Sequence, residues 1–177
     1  MGQYWQGAAF KDGYLIRTCV RPGHLKLIEH SRIGSIDTAP IHNIIENKPC
    51  NVAWIGDYST TPYDGSEPYQ RKFPKKKFAE IYDEVWNRDA SKFVGSLGIS
   101  YYAGFLINHS KQRYIDLSDY EEVDPLPLLT ACGNDRGGGD YHGPLEKRIG
   151  TWAFDELEFS KSYNGPYKKV FYAFEFC

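Results

Sequence analysis

Cysteine is scarce in this sequence, and its four residues form no recognisable metal or redox motif. Cys19, Cys50, Cys132 and Cys177 are widely separated, which excludes the C-x-x-C spacing of zinc sites and thioredoxin-like centres. Free thiols and a cytoplasmic location are therefore expected. Cys132 follows the apolar residues 128–131, and burial in such surroundings predicts an unreactive thiol.

The sequence also lacks a long apolar run and a surplus of positive charge. No apolar stretch approaches the roughly 20 residues of a transmembrane helix, and "MGQYWQGAAFKDG" lacks the regions of a signal peptide. We therefore expect no membrane partner. The net charge is −2 at pH 7, whereas nucleic-acid-binding proteins normally carry enough lysine and arginine to neutralise phosphates. Nucleic acid is therefore disfavoured as a partner, and the basic run at 71–78 is interpreted as a solvated loop and helix start.

The overall composition is typical of a folded globular domain. The 177 residues are 41% hydrophobic, 25% charged and 16% aromatic, so the chain can bury a core without disulfide support. We predict one domain, residues 1–177. An alternative is two related halves, about 1–95 and 96–177, that share one core, because "VAWIGDYS" and "GTWAFDELEFS" are similar.

The hydrophobic pattern predicts an α+β fold, with a mainly antiparallel β-sheet and two or three helices. Alternating apolar residues indicate strands, and Asp12 before Gly13 indicates a hairpin turn. Apolar spacings of three and four residues indicate helices, one of which has Pro40 in its first turn. The expected strands are residues 4–10, 14–20, 51–55, two within 101–117, 149–160 and 168–177, and the expected helices are 35–46 and 75–88. Residues 24–30 are expected to form another strand or an entry into one.

The most unusual stretch is "GNDRGGGDYHG", residues 133–143, which has five glycines among eleven residues. Consecutive backbone N–H groups in a turn can form a concave nest that attracts anions, and Arg136 would add a bidentate cation for phosphate or carboxylate. The alternative is a close-packed corner in which Arg136 pairs with Asp135 or Asp140. The residues predicted to bind a small anionic ligand are Asn134, Arg136, Gly137, Gly138, Gly139, Asp140 and Tyr141.

Three residues outside this stretch are candidates for acid–base catalysis. Glu29 and His30 lie in "LIEHS", and Asp57 stands where the buried strand 51–55 leaves the sheet. Two of these residues also have a structural interpretation. His30 would be a histidine hydrogen-bonded inside a packed sheet, and Asp57 would be an aspartate that caps a turn. If residues 24–30 form a strand, Glu29 and Ser31 share one face and His30 the other.

The remaining polar residues do not predict a metal site or a cofactor. No H-E-x-x-H motif and no cysteine pair organises the possible ligands. Asn108 and His109 fall at the expected turn of a hairpin, where polar side chains usually stabilise the turn. The possible ligands considered are His30, Asp57, His109, Asp140 and His142.

Six phrases occur in the order "MGQYW", "HLKLIEHSRIG", "VAWIGDYS", "FLINHSKQRYIDL", "PLPLLTACGNDRGGGDYHG" and "IGTWAFDELEF". Together they resemble a family of small uncharacterised proteins of bacteria and mobile elements, and the resemblance covers nearly the whole chain. It implies a fold unit but no activity. This chain departs from the family pattern at Ile55, Asp135 and Phe154, and Asp135 would weaken anion binding if it faced the ligand.

Three functions remain open from the sequence. The first is binding of a small anionic ligand, nucleotide-like or phosphorylated, at the glycine-rich stretch. The second is an enzyme that acts on such a ligand, with Glu29, His30 or Asp57 in acid–base chemistry and Arg136 stabilising negative charge. The third is a protein–protein interaction module of a mobile element, with exposed tyrosines and tryptophans as anchors.

Overall fold

The structure is a computed structural model that describes residues 3–11, 14–18, 25–35, 38–57, 103–133 and 147–174. Within these ranges the chain forms eight strands and three short α-helices, which confirms the predicted α+β fold. The strands are β1 Trp5–Lys11, β2 Tyr14–Thr18, β3 Cys50–Gly56, β4 Phe105–Asn108, β5 Arg113–Asp116, β6 Ala131–Cys132, β7 Glu156–Ser160 and β8 Lys168–Lys169. The helices are α1 Leu27–His30, α2 Ala39–Ile45 and α3 Pro125–Leu129, and Leu117–Asp119 forms a 3₁₀ turn.

The strands form one mostly antiparallel sheet in the order β2-β1-β3-β7-β4-β5-β8. Strand β6 lies beside β3 outside this path, parallel to it, and β5–β8 is the other parallel pair. Strands β6 and β7 share one edge of β3. β7 pairs with Cys50 and Asn51 at the beginning of β3, whereas β6 pairs with Trp54 and Ile55 near its end.

The core lies on the face of the sheet that carries Trp54. Helix residues such as Leu27, Ile41 and Leu128 belong to the same buried cluster as the inward side chains of the strands. Strands β1 and β3 are buried on both faces, since Ala8 and Ala53 on the opposite face have no exposed surface. Strands that are buried on both faces have few polar positions, because neither face is in contact with water.

Several predicted elements are confirmed. The hairpin of β1 and β2 pairs antiparallel, although residues 12–13 of its turn lie outside the described part of the chain. Helix α2 has Pro40 in its first turn, and β3 is the buried strand expected at 51–55. Strands β4 and β5 form the expected hairpin around residues 109–112, in which Gln112 has a positive φ of 54°.

The strand predicted at 24–30 is wrong, because residues 27–30 form helix α1. The backbone N–H of Lys26 donates to the Glu29 carboxylate at 2.6 Å, which caps the first turn. Leu27 and His30 are both buried, which matches a spacing of three residues on one helical face rather than the alternation of a strand. The expected opposition of Glu29 and His30 across a strand is therefore wrong as well.

The two predicted C-terminal strands are shorter than expected. Residues 149–154 form turns in which Gly150 and Phe154 have positive φ angles of 72° and 62°, so only Glu156–Ser160 is extended. Strand β8 stops at Lys169, opposite Tyr114, although β5 continues to Asp116. The Val170 N–H still donates to the Tyr114 carbonyl at 2.8 Å, whereas the Tyr172 N–H donates to the Tyr120 hydroxyl at 3.0 Å.

Other predictions fall on residues that the structure does not describe. These are the helix at 75–88, the basic run at 71–78 and the final residues 175–177. Within the described ranges, none of the helices is both long enough and apolar enough to cross a bilayer. Strands from both predicted halves join the same sheet, and the relation between the halves stays a prediction.

Candidate functional site

The parallel strands β3 and β6 end side by side, and the glycine-rich stretch begins there. Trp54 pairs with Ala131 and Ile55 with Cys132, so Gly56 and Gly133 follow at the same end of the two strands. The Gln3 side chain packs against both glycines, and the Trp5 ring packs closely against Gly133. A methyl group at Gly133 would come within 2.6 Å of the Trp5 ring, and one at Gly56 within 3.4 Å. We call this region, residues 3–5, 25–30, 56–57 and 133, the β3–β6 end.

Asp57 lies at the β3–β6 end and connects β3 to the beginning of β1. Its Oδ1 atom accepts a hydrogen bond from the Tyr4 N–H at 3.0 Å, and its own N–H donates to the Tyr4 carbonyl at 3.0 Å. The side chain is half-buried. Asp57 therefore has the structural role of a cap, and it also places a carboxylate at the end of β3.

Glu29 lies in the first turn of α1 and is exposed. Its carboxylate accepts from the Lys26 N–H, and the Lys26 ammonium group lies 4.3 Å from the centre of the Tyr4 ring. Lys26 therefore packs α1 against Tyr4, the residue whose backbone N–H also donates to Asp57. Of the three candidate catalytic residues, Glu29 is thus linked to Asp57 through Lys26 and Tyr4 rather than by direct contact.

His30 is buried under the beginning of β1, with 1% of its surface exposed. Its Nε2 atom lies 2.9 Å from the Trp5 carbonyl, which can only accept, so Nε2 carries the proton. Burial lowers the pKa of His30 to about 4, against the smaller opposing effect of this hydrogen bond. At neutral pH the ring is therefore uncharged, and Nδ1 is a bare acceptor.

Three buried nitrogen atoms in this part of the core have no hydrogen-bond partner among the residues that the structure describes. They are Nδ1 of His30 and the indole Nε1 atoms of Trp5 and Trp54. The rings of His30 and Trp54 meet edge to face, with centroids 5.9 Å apart. Unpaired buried polar groups are rare in folded proteins, and each one calls for an explanation such as a bound molecule or strain.

The residues predicted to bind the ligand cannot be placed, because all of them lie outside the described ranges. Of the glycine-rich stretch, the structure describes only Gly133, which follows β6. The undescribed residues are Asn134, Arg136, Gly137, Gly138, Gly139, Asp140 and Tyr141.

The structure contains two histidine–carboxylate pairs that the sequence did not predict. The Nε2 atom of His42 lies 2.8 Å from Oδ2 of Asp124 in the core, and Nε2 of His109 lies 2.8 Å from Oε2 of Glu158 on the half-exposed face of β4 and β7. In each pair the partners are far apart in sequence. Only the order Asp124-Pro125 gave a local signal, since aspartate before proline is a common helix start.

The described residues include no group of three histidines, cysteines or carboxylates that could hold a metal ion. His30 and Asp57, two of the possible ligands, are engaged with Trp5 and Tyr4. Cys132 is buried, as predicted, with 1% of its surface exposed, and Cys50 is also a free buried thiol. Burial raises the pKa of the Cys50 thiol.

Comparison with protein-family models, with curated proteins and with solved structures found no match to this chain. The resemblance to the family of bacterial and mobile-element proteins therefore stays a prediction.

Proposed function

We propose that this protein binds a small anionic ligand, of the nucleotide or phosphorylated-metabolite class, at the β3–β6 end. The observation that carries the proposal is that the glycine-rich stretch begins at Gly133, beside the end of the parallel strand β3. In open α/β sheets, ligands bind outside the carboxyl ends of parallel strands, and the short parallel pair of β3 and β6 ends in the same way here. Backbone N–H groups of a glycine-rich turn, together with the Arg136 guanidinium, would supply donors for phosphate oxygens.

The packing around Gly133 supports a fixed position for the start of this stretch. The Trp5 ring leaves no room for a side chain at Gly133, and Trp5 itself is buried and held by a hydrogen bond from its N–H to the Leu25 carbonyl at 3.0 Å. A rigid first residue reduces the conformational entropy that the stretch would lose on closing around a ligand.

Binding is favoured over acid–base catalysis by the state of the three candidate residues. The carboxylates of Glu29 and Asp57 each accept a backbone N–H. A pKa of about 4 makes His30 a weak base at neutral pH, whereas an efficient general base has a pKa near the working pH. A cytoplasmic location is part of the proposal and is supported by the free thiols of Cys50 and Cys132.

The experiment is thermal unfolding of the purified protein with ATP, GTP, AMP, glucose 6-phosphate and inorganic phosphate. A ligand at 100 times its dissociation constant adds about 2.7 kcal/mol to the free energy of unfolding, which corresponds to a shift of roughly 5–10 °C for a chain of this size. We expect one phosphorylated class to give this shift. Arg136→Ala should abolish it, whereas Arg113→Ala, which removes an exposed arginine of β5, should leave it unchanged.

Two results would contradict the proposal. One is a panel in which no phosphorylated compound shifts the midpoint at millimolar concentration. The other is a shift that Arg136→Ala and Arg113→Ala reduce equally, because the anion would then bind through general charge. Conversion of the bound compound to a product would favour the enzyme hypothesis.

A further inference from the structure

A groove lies between the loop that follows the 3₁₀ turn and the C-terminal segment after β8. Its volume is about 550 Å³, within the range of ligand-binding clefts. One side of the groove is held by the segment after α1, since Val123 bridges to Arg32 and the Glu122 carbonyl accepts from the Ile33 N–H at 3.1 Å. The residues that line it are Asp119, Tyr120, Glu121, Glu122, Val123, Phe171, Ala173 and Phe174.

The groove presents an exposed aromatic ring on a fixed support. Phe171 is the only large hydrophobic side chain among the described residues that is exposed, at 57% of its surface. Its ring lies 5.2 Å from that of Tyr120, which is itself buried. The Tyr120 hydroxyl accepts from the Tyr172 N–H at 3.0 Å and so holds the two sides of the groove together. Burial raises the pKa of Tyr120 to about 12, so this phenol stays neutral and keeps its place.

The charge at the groove is negative. Asp119 pairs with the Lys169 ammonium group at 3.0 Å. Glu121 and Glu122 are exposed, and neither makes an ion pair with any residue that the structure describes. The nearby cation Arg148 lies over the Tyr172 ring, 6.0 Å from its centre, outside the lining of the groove.

We infer that this groove binds a basic peptide segment of a protein partner, with an arginine or lysine between Phe171 and the carboxylates of Glu121 and Glu122. The face of an aromatic ring attracts a guanidinium or ammonium group, and a carboxylate within reach strengthens this attraction. An exposed aromatic anchor surrounded by charged residues is typical of protein–protein contacts. The negative charge selects a basic partner and opposes an acidic one.

The test is fluorescence anisotropy with a labelled hexapeptide that alternates arginine and leucine. The control peptide has citrulline, which keeps the shape of arginine without its charge, at each arginine position. We expect the arginine peptide to bind at micromolar concentration and the citrulline peptide at least tenfold more weakly. Salt should weaken binding, because the attraction between exposed charges is screened.

Variants of the protein locate the site. Phe171→Ala and the double variant Glu121→Gln/Glu122→Gln should each weaken binding at least tenfold, and circular dichroism should show an unchanged fold because all three side chains are exposed. Glu156→Gln, which neutralises an exposed carboxylate on β7, is the matched control and should bind as the unaltered protein does.

Three outcomes would overturn the inference. The first is no binding of the arginine peptide at 1 mM. The second is equal loss of binding in Glu156→Gln and in the groove variants. The third is that spermidine, a small polyamine, binds as tightly as the peptide and independently of Phe171. The ligand of the groove would then be a small cation and not a peptide.

Discussion

The side chains of His42 and Asp124 form a buried pair, in which Nε2 of His42 lies 2.8 Å from Oδ2 of Asp124. The other carboxylate oxygen, Oδ1, accepts from the Leu126 N–H at 2.9 Å and so caps α3. The Asp124 N–H donates to the Ser31 carbonyl at 2.7 Å. One aspartate therefore connects α2, the end of α1 and the beginning of α3 beneath the sheet.

Replacement of Asp124 by alanine should lower the free energy of unfolding by about 3 kcal/mol. The variant leaves Nε2 of His42 buried without a partner, which costs about 1–3 kcal/mol. It also removes the cap of α3, which contributes about 1 kcal/mol. Urea unfolding at pH 7, followed by circular dichroism, measures the difference.

Asp116→Ala is the control for this prediction, because Asp116 caps the 3₁₀ turn through the Ser118 N–H in a more exposed position and pairs there with the exposed Lys169 ammonium group at 3.3 Å. We expect this variant to lose about 1 kcal/mol or less, since water can replace the lost contact. Equal losses for Asp124→Ala and Asp116→Ala would show that the pair with His42 contributes nothing beyond the cap.

Gly7 and Trp54 lie opposite each other on β1 and β3, and the Trp54 ring fills the space where a side chain would stand. A methyl group at Gly7 would come within 2.6 Å of this ring. Gly7→Ala should therefore destabilise the protein by about 1–3 kcal/mol through overpacking. This overpacking cost exceeds the roughly 0.5–1 kcal/mol by which alanine usually stabilises a strand relative to glycine.

A double-mutant cycle isolates this contact. Phenylalanine lacks the second ring of tryptophan, so Gly7→Ala should cost less in the Trp54→Phe background than in the unaltered protein. We expect a coupling free energy of at least 1 kcal/mol, measured by urea unfolding of the four proteins. If Gly7→Ala lowers the free energy of unfolding equally in both backgrounds, the contact between the added methyl group and the Trp54 ring is not the cause of the loss.

Local patterns were enough to predict the strands that form the centre of the sheet. Residues 52–55 are apolar on both faces and lie between Asn51 and Asp57, and they form the centre of β3. The hairpin around residues 109–112 was also predictable, because polar turn residues stand between two apolar runs. In both cases the neighbouring residues alone determine the structure.

The errors arose where a distant contact determines the local structure. Residues 27–30 form a helix that buries Leu27 and His30, and His30 packs under Trp5, 25 residues earlier in the chain. Residues 170–174 leave the sheet before β5 ends, and the Tyr172 N–H donates to the hydroxyl of Tyr120, 52 residues earlier in the chain. At the candidate site, the sequence predicted Asp57 and His30 individually but not that Tyr4 and Trp5 bring them to one end of the sheet.

Asn108 stabilises the turn between β4 and β5 from a buried position. Its Nδ2 atom donates to Oδ2 of Asp155 at 2.8 Å, and its Oδ1 atom accepts from the Lys111 N–H at 2.9 Å. Asn108→Ala should lower the free energy of unfolding by about 2 kcal/mol, because it leaves both partners without this contact. Chemical denaturation at pH 7 measures the change.

Ser110→Ala in the same turn is the control. The Ser110 hydroxyl accepts from the Glu156 N–H at 2.9 Å in an exposed position, where water can take its place. We expect a loss of about 1 kcal/mol or less. A loss for Asn108→Ala no larger than that for Ser110→Ala would contradict the role assigned to the buried amide.

His30 should make the stability of the protein fall as the pH is lowered from about 6.5 to 4. Burial lowers the pKa of His30 from 6.5 to about 4, so in this interval the unfolded chain binds a proton that the folded chain does not. The free energy of unfolding therefore rises with pH in this window, by about 3 kcal/mol between pH 4 and pH 7.

His30→Gln is the control variant. It keeps a donor for the Trp5 carbonyl but cannot titrate, so the urea midpoint of its unfolding should depend less on pH. Carboxylates titrate in both proteins and cancel in the comparison. Parallel stability curves from pH 7 to pH 4 would mean that water reaches the His30 ring in the folded protein.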